Sequence, residues 1–134
     1  MSSLIQQRRA MYEQKMQDDY PDLVFGLGVG AIILERCLVA TPFIEIPATC
    51  ASLTFHFSDT AFKGLFQIRQ QFFNASKAWV YSNTQTNYNS NYTFTITAGQ
   101  YAYIRATLDC DYLDEAYIKD DTNDQYLWKG KNVV

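Results

Sequence analysis

The stretch that decides the fold is YTFTITAGQYAYIRATL, residues 92–108. In its first half, aromatic and aliphatic side chains alternate with threonines. In its second half one side of the alternation is apolar, with Ala102, Ile104, Ala106 and Leu108. A period of two is typical of a strand with one buried face. Ala98-Gly99-Gln100 separates the halves, so the stretch predicts a β-hairpin with Ile104 in the core.

The same period recurs outside this stretch. Leu53, Phe55 and Phe57 alternate with Thr54, His56 and Ser58, and shorter strand candidates are 22–26, 31–34, 37–40, 43–46, 78–82, 112–118 and 125–128. Segment 59–73 fits a helix capped by Asp59 or a strand, and Gly64 favours the strand. The polar run 82–91 predicts a loop. Many short strands predict an all-β fold: a single β-sandwich, jelly-roll-like, or a small barrel.

The N-terminal region shows the only clear helical pattern. Residues 3–19 have a capping-box spacing at Ser3 and Gln6, and Pro21 favours a helix end. The helix has a thin apolar stripe broken by arginines, whereas a helix packed on its own domain shows a wider one. We therefore expect an N-terminal α-helical arm at 1–20 before a β-sandwich domain at 21–134. Either the arm docks on a neighbouring subunit through Leu4, Ile5, Arg8, Met11, Tyr12 and Met16, or it lies across the edge of its own domain.

Composition limits the class of protein. The chain has 134 residues, 48% hydrophobic and 19% charged, and a net charge of −3, which indicates one domain with a core and argues against a nucleic-acid binder. The longest apolar run, 23–34, is too short to span a membrane and the N-terminus lacks a secretory signal pattern, so neither is expected. The cysteines, Cys37, Cys50 and Cys110, are expected to be reduced and buried, with a Cys37–Cys50 disulfide as the alternative.

No motif in the chain predicts catalysis. Gly26-Leu27-Gly28-Val29-Gly30-Ala31 resembles a dinucleotide fingerprint, but no βαβ alternation follows, so a glycine-rich bend is favoured. His56 is the only histidine and no nucleophile signature accompanies it. We expect no cofactor, and an enzyme ranks third among the functions considered.

Two groups of side chains are candidates for ligand binding. Tyr101 and Tyr103 oppose the apolar face of their strand, and with Tyr81 they could form an outward face that stacks on sugar rings or proteins. Core packing is favoured for Trp79 and Phe94. Seven of fourteen acidic residues lie between 109 and 124, and the spacing of Asp109, Asp111 and Asp114 makes them weak calcium candidates. A solvated acidic rim is the favoured interpretation of these carboxylates.

The overall plan combines a short N-terminal arm, a compact β-domain, no export signal and no catalytic set. This plan resembles the small β-sandwich subunits of bacteriophage particles, such as capsid decoration proteins and head-fibre anchors. The resemblance implies a homo-oligomer, often a trimer, that binds a capsid lattice in a virion assembled in the host cytoplasm. The alternative function is a carbohydrate-binding β-sandwich module that uses the tyrosine face, with or without calcium.

Overall fold

The computed structural model describes residues 17–25, 38–56, 62–88, 91–109 and 113–134. Within these ranges it contains ten strands: β1 Val24–Phe25, β2 Leu38–Ala40, β3 Ile44–Glu45, β4 Ser52–His56, β5 Phe62–Phe73, β6 Trp79–Tyr88, β7 Asn91–Thr95, β8 Tyr103–Asp109, β9 Tyr117–Asp120 and β10 Gln125–Lys129. Residues 17–19 are helical, and 3–16 of the expected helical arm lie outside the described residues. None of the described helical residues belongs to a helix long and apolar enough to cross a membrane.

Two antiparallel sheets enclose one core. The larger has six strands, in the order β1-β2-β8-β5-β6 with β3 also paired to β8, and the smaller has the order β10-β9-β4-β7. The fully buried side chains that meet between the sheets include Leu53, Phe55, Phe72, Ile104 and Ile118. Successive side chains of a strand point to opposite faces, so packing one face of each sheet against the other removes these side chains from water. The all-β class is therefore confirmed, in a sandwich-like arrangement.

The predicted hairpin at 92–108 is wrong, although both of its strands exist. β7 pairs with β4 in the smaller sheet, whereas β8 pairs with β2, β3 and β5 in the larger one. The connection crosses between the sheets: the Ile96 N–H donates to Ala51 O, and the Ala102 N–H donates to Phe73 O, both at 2.9 Å. Gly99, at φ 80°, allows the turn between them. The alternation shows which face of a strand is buried, but it does not show which strand is the partner. The same face is buried whether the two strands form a hairpin or belong to different sheets.

Other strand predictions fared differently. Segment 59–73 is a strand from Phe62 onward, as Gly64 favoured, but the loop expected at 82–91 is wrong because β6 continues to Tyr88. An edge strand needs no apolar alternation, so its polar sequence resembled a loop. The candidate 112–118 is displaced to Tyr117–Asp120, after a turn at 113–115. The candidates 22–26, 37–40, 43–46 and 125–128 contain or overlap β1, β2, β3 and β10, and 31–34 lies outside the described residues.

Tyr20 is the first described residue that is buried in the core cluster. Its hydroxyl donates to Asp114 Oδ1 at 2.7 Å and accepts the Lys131 N–H at 3.1 Å. Its ring lies 5.8 Å from that of Trp128. The residue that ends the expected arm therefore holds the start of the domain against its C-terminal segment.

Candidate functional site

The β5–β6 turn positions the most distinctive surface group of the molecule. Asn74 organises the turn, because its Oδ1 accepts the N–H groups of Ser76 and Ala78 at 3.0 and 2.9 Å and the Ser76 hydroxyl at 2.8 Å. Asparagine is favoured in turns because its side chain hydrogen-bonds to nearby backbone in this way. Lys77 takes a left-handed conformation, with φ 63°. The turn thereby holds the Lys77 ammonium over the rings of the neighbouring strands.

Five side chains form what we call the aromatic–cation cluster: Phe43, Phe73, Lys77, Tyr103 and Arg105. Phe43 meets Phe73 and Tyr103 edge to face, with ring centroids 4.8 and 6.1 Å away. The Lys77 ammonium lies 5.2 Å from the Phe43 ring and 5.3 Å from the Tyr103 ring. The Arg105 guanidinium lies 5.2 Å from Phe43, and its Nε donates to Thr41 O at 2.9 Å. Cation–π contacts of this length stabilise the geometry while leaving positive charge at the surface.

The charge of this cluster differs from that of the chain as a whole. The chain has a net charge of −3. Within the part of the chain that the structure describes, neither Lys77 nor Arg105 forms an ion pair with a carboxylate. The cluster is therefore a partly apolar, positively charged patch, and Phe43 at its centre is an exposed large hydrophobic residue.

A shallow pocket of about 320 Å³ adjoins the cluster. Its walls include Glu45, Ala75, Gly99, Tyr101 and Tyr103. β3 supplies the carboxylate, the β5–β6 turn supplies Ala75, and the crossing connection supplies Gly99 and Tyr101. The pocket thus combines one carboxylate and two tyrosines with small residues, which can accept hydrogen bonds and provide an apolar surface.

The three tyrosines that were expected to share an outward face have different surroundings in the structure. Tyr101 is only 8% exposed, so its expected exposure is wrong. Its ring lies 4.6 Å from Phe72 and stacks on Tyr81 at 6.5 Å, and burial raises its pKa. Tyr103 belongs to the aromatic–cation cluster, while Tyr81 is 41% exposed at the β6 side of the sandwich. Tyr101 precedes β8, and the crossing connection turns it into the space between the sheets.

The start of β6 exposes three consecutive apolar residues, which we call the edge strip. Trp79, Val80 and Tyr81 are 60%, 48% and 41% exposed. The core position expected for Trp79 is therefore wrong, and its Nε1 donates to Ser82 Oγ at 2.8 Å. Phe94 does pack against the core, 5.2 Å from Phe72.

Sequence reasoning missed Phe43, Lys77, Arg105 and Val80 as surface residues of interest. A lone phenylalanine or valine in an apolar run resembles core, and no local pattern assigns an isolated cation to an aromatic cluster. One signal was available in the sequence: residues 79–88 carry no charge. Edge strands usually carry charges that prevent pairing with other chains, so an uncharged edge strand is open to a partner.

The acidic side chains between residues 114 and 124 have structural partners. Asp114 accepts the Tyr20 hydroxyl, Asp121 accepts that of Thr54 at 2.6 Å, and Asp124 pairs with Lys119 at 2.9 Å. No group of three potential metal ligands occurs among the described residues. Of the calcium candidates, Asp109 ends β8 and Asp111 lies outside the described residues. Asp114 is the calcium candidate for which the structure gives a side-chain contact, and that contact is the hydrogen bond from Tyr20.

Asp120 is the buried member of that segment. Burial acts to raise its pKa, but hydrogen bonds from Asn123, Thr122 and the Cys50 thiol lower it below the usual value. Asn123 Nδ2 donates to Oδ2 at 2.7 Å, and the N–H groups of Thr122 and Asn123 donate to Oδ1 at 3.0 and 3.1 Å. The carboxylate therefore stabilises the β9–β10 turn rather than facing solvent.

The described cysteine and the histidine, the remaining candidates for reactive groups, are both buried. Cys50 is a free, buried thiol, as expected, and burial raises its pKa to about 11, which leaves little nucleophilic thiolate at neutral pH. His56 is buried and stacks on Tyr117 with ring centroids 5.0 Å apart. Cys37 and Cys110 lie outside the described residues.

The arm residues expected to bind a partner, Leu4 to Met16, also lie outside the described residues. Comparison with known proteins adds no relative: no protein-family model, no curated protein and no solved structure matches the chain.

Proposed function

We propose that this chain is a non-enzymatic structural subunit that binds copies of itself and other protein subunits within a larger assembly. The observation that carries the proposal is the edge strip, in which Trp79, Val80 and Tyr81 are exposed side by side beside the aromatic–cation cluster. Tryptophan, tyrosine and arginine are the residues that most often dominate the binding energy of protein interfaces. Here Trp79 pairs in the ladder with Phe73 of the cluster, and Val80 and Tyr81 extend the exposed apolar edge of the same strand.

The cluster and the strip complement one another as an interface. The strip offers apolar area without charge, and the cluster offers two cations, Lys77 and Arg105, beside rings that hold them in place. An apolar centre with a charged rim is the usual anatomy of a specific protein interface. A rigid β-sandwich also suits this role, since little conformational entropy is lost on binding.

We further propose that the assembly is a virion, with the chain attached to a capsid lattice formed in the host cytoplasm. The support is the resemblance in plan to phage decoration and head-fibre subunits, together with the sandwich-like domain. In such a subunit the arm, through Leu4, Ile5, Arg8, Met11, Tyr12 and Met16, docks on a neighbouring copy. A homo-oligomer, often a trimer in such subunits, is the state that this plan implies.

Light scattering of the purified full chain tests the proposal. We expect a mass above that of the monomer, and a smaller mass once residues 1–19 are removed. A full chain that remains monomeric across a wide concentration range would contradict the proposal.

Two arm variants provide a matched comparison. Met11→Glu places a charge on the apolar stripe, whereas Gln14→Glu adds the same charge outside it. We expect Met11→Glu to reduce the mass of the assembly and Gln14→Glu to leave it unchanged. Equal behaviour of the two variants would show that the stripe makes no subunit contact.

The pocket favours a second candidate function, carbohydrate binding. Tyr103 and Glu45 line it together, which pairs an aromatic surface with a hydrogen-bond acceptor. A glycan screen with and without calcium tests this candidate, with Tyr103→Ala expected to abolish any binding and Tyr126→Ala, on β10, expected to preserve it. The absence of any bound glycan in both conditions would reject the candidate.

A further inference from the structure

We propose that β6 pairs edge to edge with β6 of a second copy of this chain, in antiparallel orientation, so that the larger sheet continues across two molecules. This inference rests on the proposed self-association and assigns it a strand and a partner. It concerns a contact separate from the one expected for the arm.

β6 is the terminal strand of its sheet. Among the described residues its ladder partner is β5, through pairs that include Ile68 with Gln85 and Phe72 with Tyr81. In an antiparallel ladder every second residue directs its N–H and C=O away from the neighbouring strand. Such a row of donors and acceptors has the geometry that another extended chain satisfies, and strand addition is a common mode of protein recognition.

The sequence of β6 lacks the features that normally prevent such pairing. WVYSNTQTNY has ten residues and contains no charged residue and no proline. The other terminal strands of the two sheets are shorter: β1 has two residues, β7 five, and β10 five including Lys129. Among the strands that the structure describes, β6 is therefore the long, uncharged edge, and its first three residues are apolar and exposed.

Charge favours a second copy as the occupant. The chain is acidic overall, so most contacts between two copies oppose like charges. A contact between two β6 strands places no charged residues of these strands opposite one another, and a twofold axis makes the contact self-complementary. An acidic copy meets less repulsion at this edge than at the charged strands elsewhere on its surface.

Symmetry restricts the register. A twofold axis perpendicular to a sheet places a residue opposite its own copy and keeps every side chain on its own face. The ladder of β6 with β5 keeps one register from Tyr81 to Gln85 and shifts on either side. Overlaps of β6 with itself that are centred on this regular part place the axis at Asn83 or at Thr84. In both registers Thr84 lies either opposite Thr84 of the second copy or diagonally across the axis from it.

Charge variants at Thr84 test the pairing. Thr84→Glu and Thr84→Lys each bring like charges together across the axis. Because Thr84 stands opposite Arg69 of β5, we expect Thr84→Lys to weaken self-association by about fivefold at low ionic strength and Thr84→Glu by less. An equimolar mixture of the two variants brings opposite charges together, and we expect it to regain the wild-type association. Light scattering and sedimentation of the full chain measure the effect, and circular dichroism confirms that each variant is folded.

Matched controls and a backbone readout accompany the variants. Thr95→Glu and Thr95→Lys make the same changes at an exposed residue of β7, the edge of the smaller sheet, and are expected to leave association unchanged. Amide exchange within Trp79–Tyr88 is expected to slow as protein concentration rises, while exchange within Asn91–Thr95 stays constant.

The outcomes separate this inference from the proposed function. Unchanged association in both Thr84 variants, or no recovery on mixing them, would overturn the pairing of β6 and leave the proposed self-association intact. An effect confined to the Thr95 variants would also overturn it, in favour of β7. A monomeric wild-type chain would overturn both.

Discussion

At the residue scale, the alternation of apolar and polar side chains predicts burial well where strands are regular. Ile104, Ala106 and Leu108 are fully buried on β8, as are Leu53 and Phe55 on β4. The pattern works because successive side chains of a strand point to opposite faces. It fails for Tyr101, which lies before the first residue of β8 and follows the path of the connection instead. It also fails for His56 on β4 and Thr107 on β8, which are buried although they belong to the polar side of the alternation.

Replacing Ile104 by Asp should unfold the domain. The carboxylate would be buried among Phe72 and other apolar side chains without a partner, at a cost of about 4 kcal/mol or more relative to the wild type. Thermal unfolding followed by circular dichroism measures the effect, and Thr95→Asp on an exposed site is the control. An Ile104→Asp variant that melts at the wild-type temperature would show that the side chain faces solvent.

Gly130→Ala should destabilise the protein more than Gly99→Ala does. A Cβ at Gly130 would lie 1.9 Å from Leu113 O, so the backbone must shift, at a cost of about 1–3 kcal/mol. At Gly99 the nearest atom is 3.8 Å away and only the left-handed φ opposes alanine, at about 1 kcal/mol. Urea unfolding of both variants makes the comparison, and the opposite order would contradict the close approach at Gly130.

At the element scale, the β9–β10 hairpin is joined to the centre of its sheet through its turn. Asp121 Oδ2 accepts the Thr54 hydroxyl, and the Thr122 hydroxyl accepts the Ala51 N–H at 2.9 Å. Asn123 Nδ2 donates to Thr49 Oγ1 at 3.0 Å. The acidic segment, which the sequence suggested as a rim or a calcium site, is in this part a structural turn.

Asp120→Asn should destabilise the folded chain at pH 7 by about 1–3 kcal/mol, because hydrogen bonds to a buried carboxylate lose their charge. The pKa of Asp120 is lower in the folded protein than the ordinary 3.8. The stability that the charged Asp120 carboxylate contributes is therefore complete above the unfolded pKa of 3.8, and it is lost as the pH falls through the lower pKa of the folded protein. Urea unfolding at pH 7 and pH 3 should show the gap between variant and wild type narrowing at acid pH. A gap of constant size would exclude this role for the charge.

At the scale of the whole molecule, Tyr20 joins the chain just before β1 to the C-terminal part of the sandwich. It contacts Asp114, Lys131 and Trp128. Asp19 adds an ion pair to Lys131 at 3.0 Å, but both side chains are partly exposed, so it contributes little. Of the described residues, Tyr20 is the first that belongs to the core.

Removing residues 1–19 should leave the sandwich folded. The truncated chain keeps Tyr20 and every described core residue, so its unfolding should stay cooperative, with a midpoint within a few degrees of that of the full chain. Circular dichroism and amide exchange measure this. If β6 pairs as proposed, the truncated chain still forms dimers, whereas larger assemblies need the arm. A truncated chain that fails to fold would show that the arm belongs to the core.

The sequence by itself determined the all-β class, the inward face of most strands and the buried state of Cys50. These properties follow from local periodicity and composition, which are present in any short segment of the chain. Only the tertiary structure decided which strands pair, that the connection at 96–102 crosses between sheets, that Tyr101 is buried and that β6 is an exposed edge. Partner choice depends on contacts between distant segments, and the same alternation satisfies several topologies. The aromatic–cation cluster arises in this way, because its residues meet only after β3, β5 and β8 have been placed side by side.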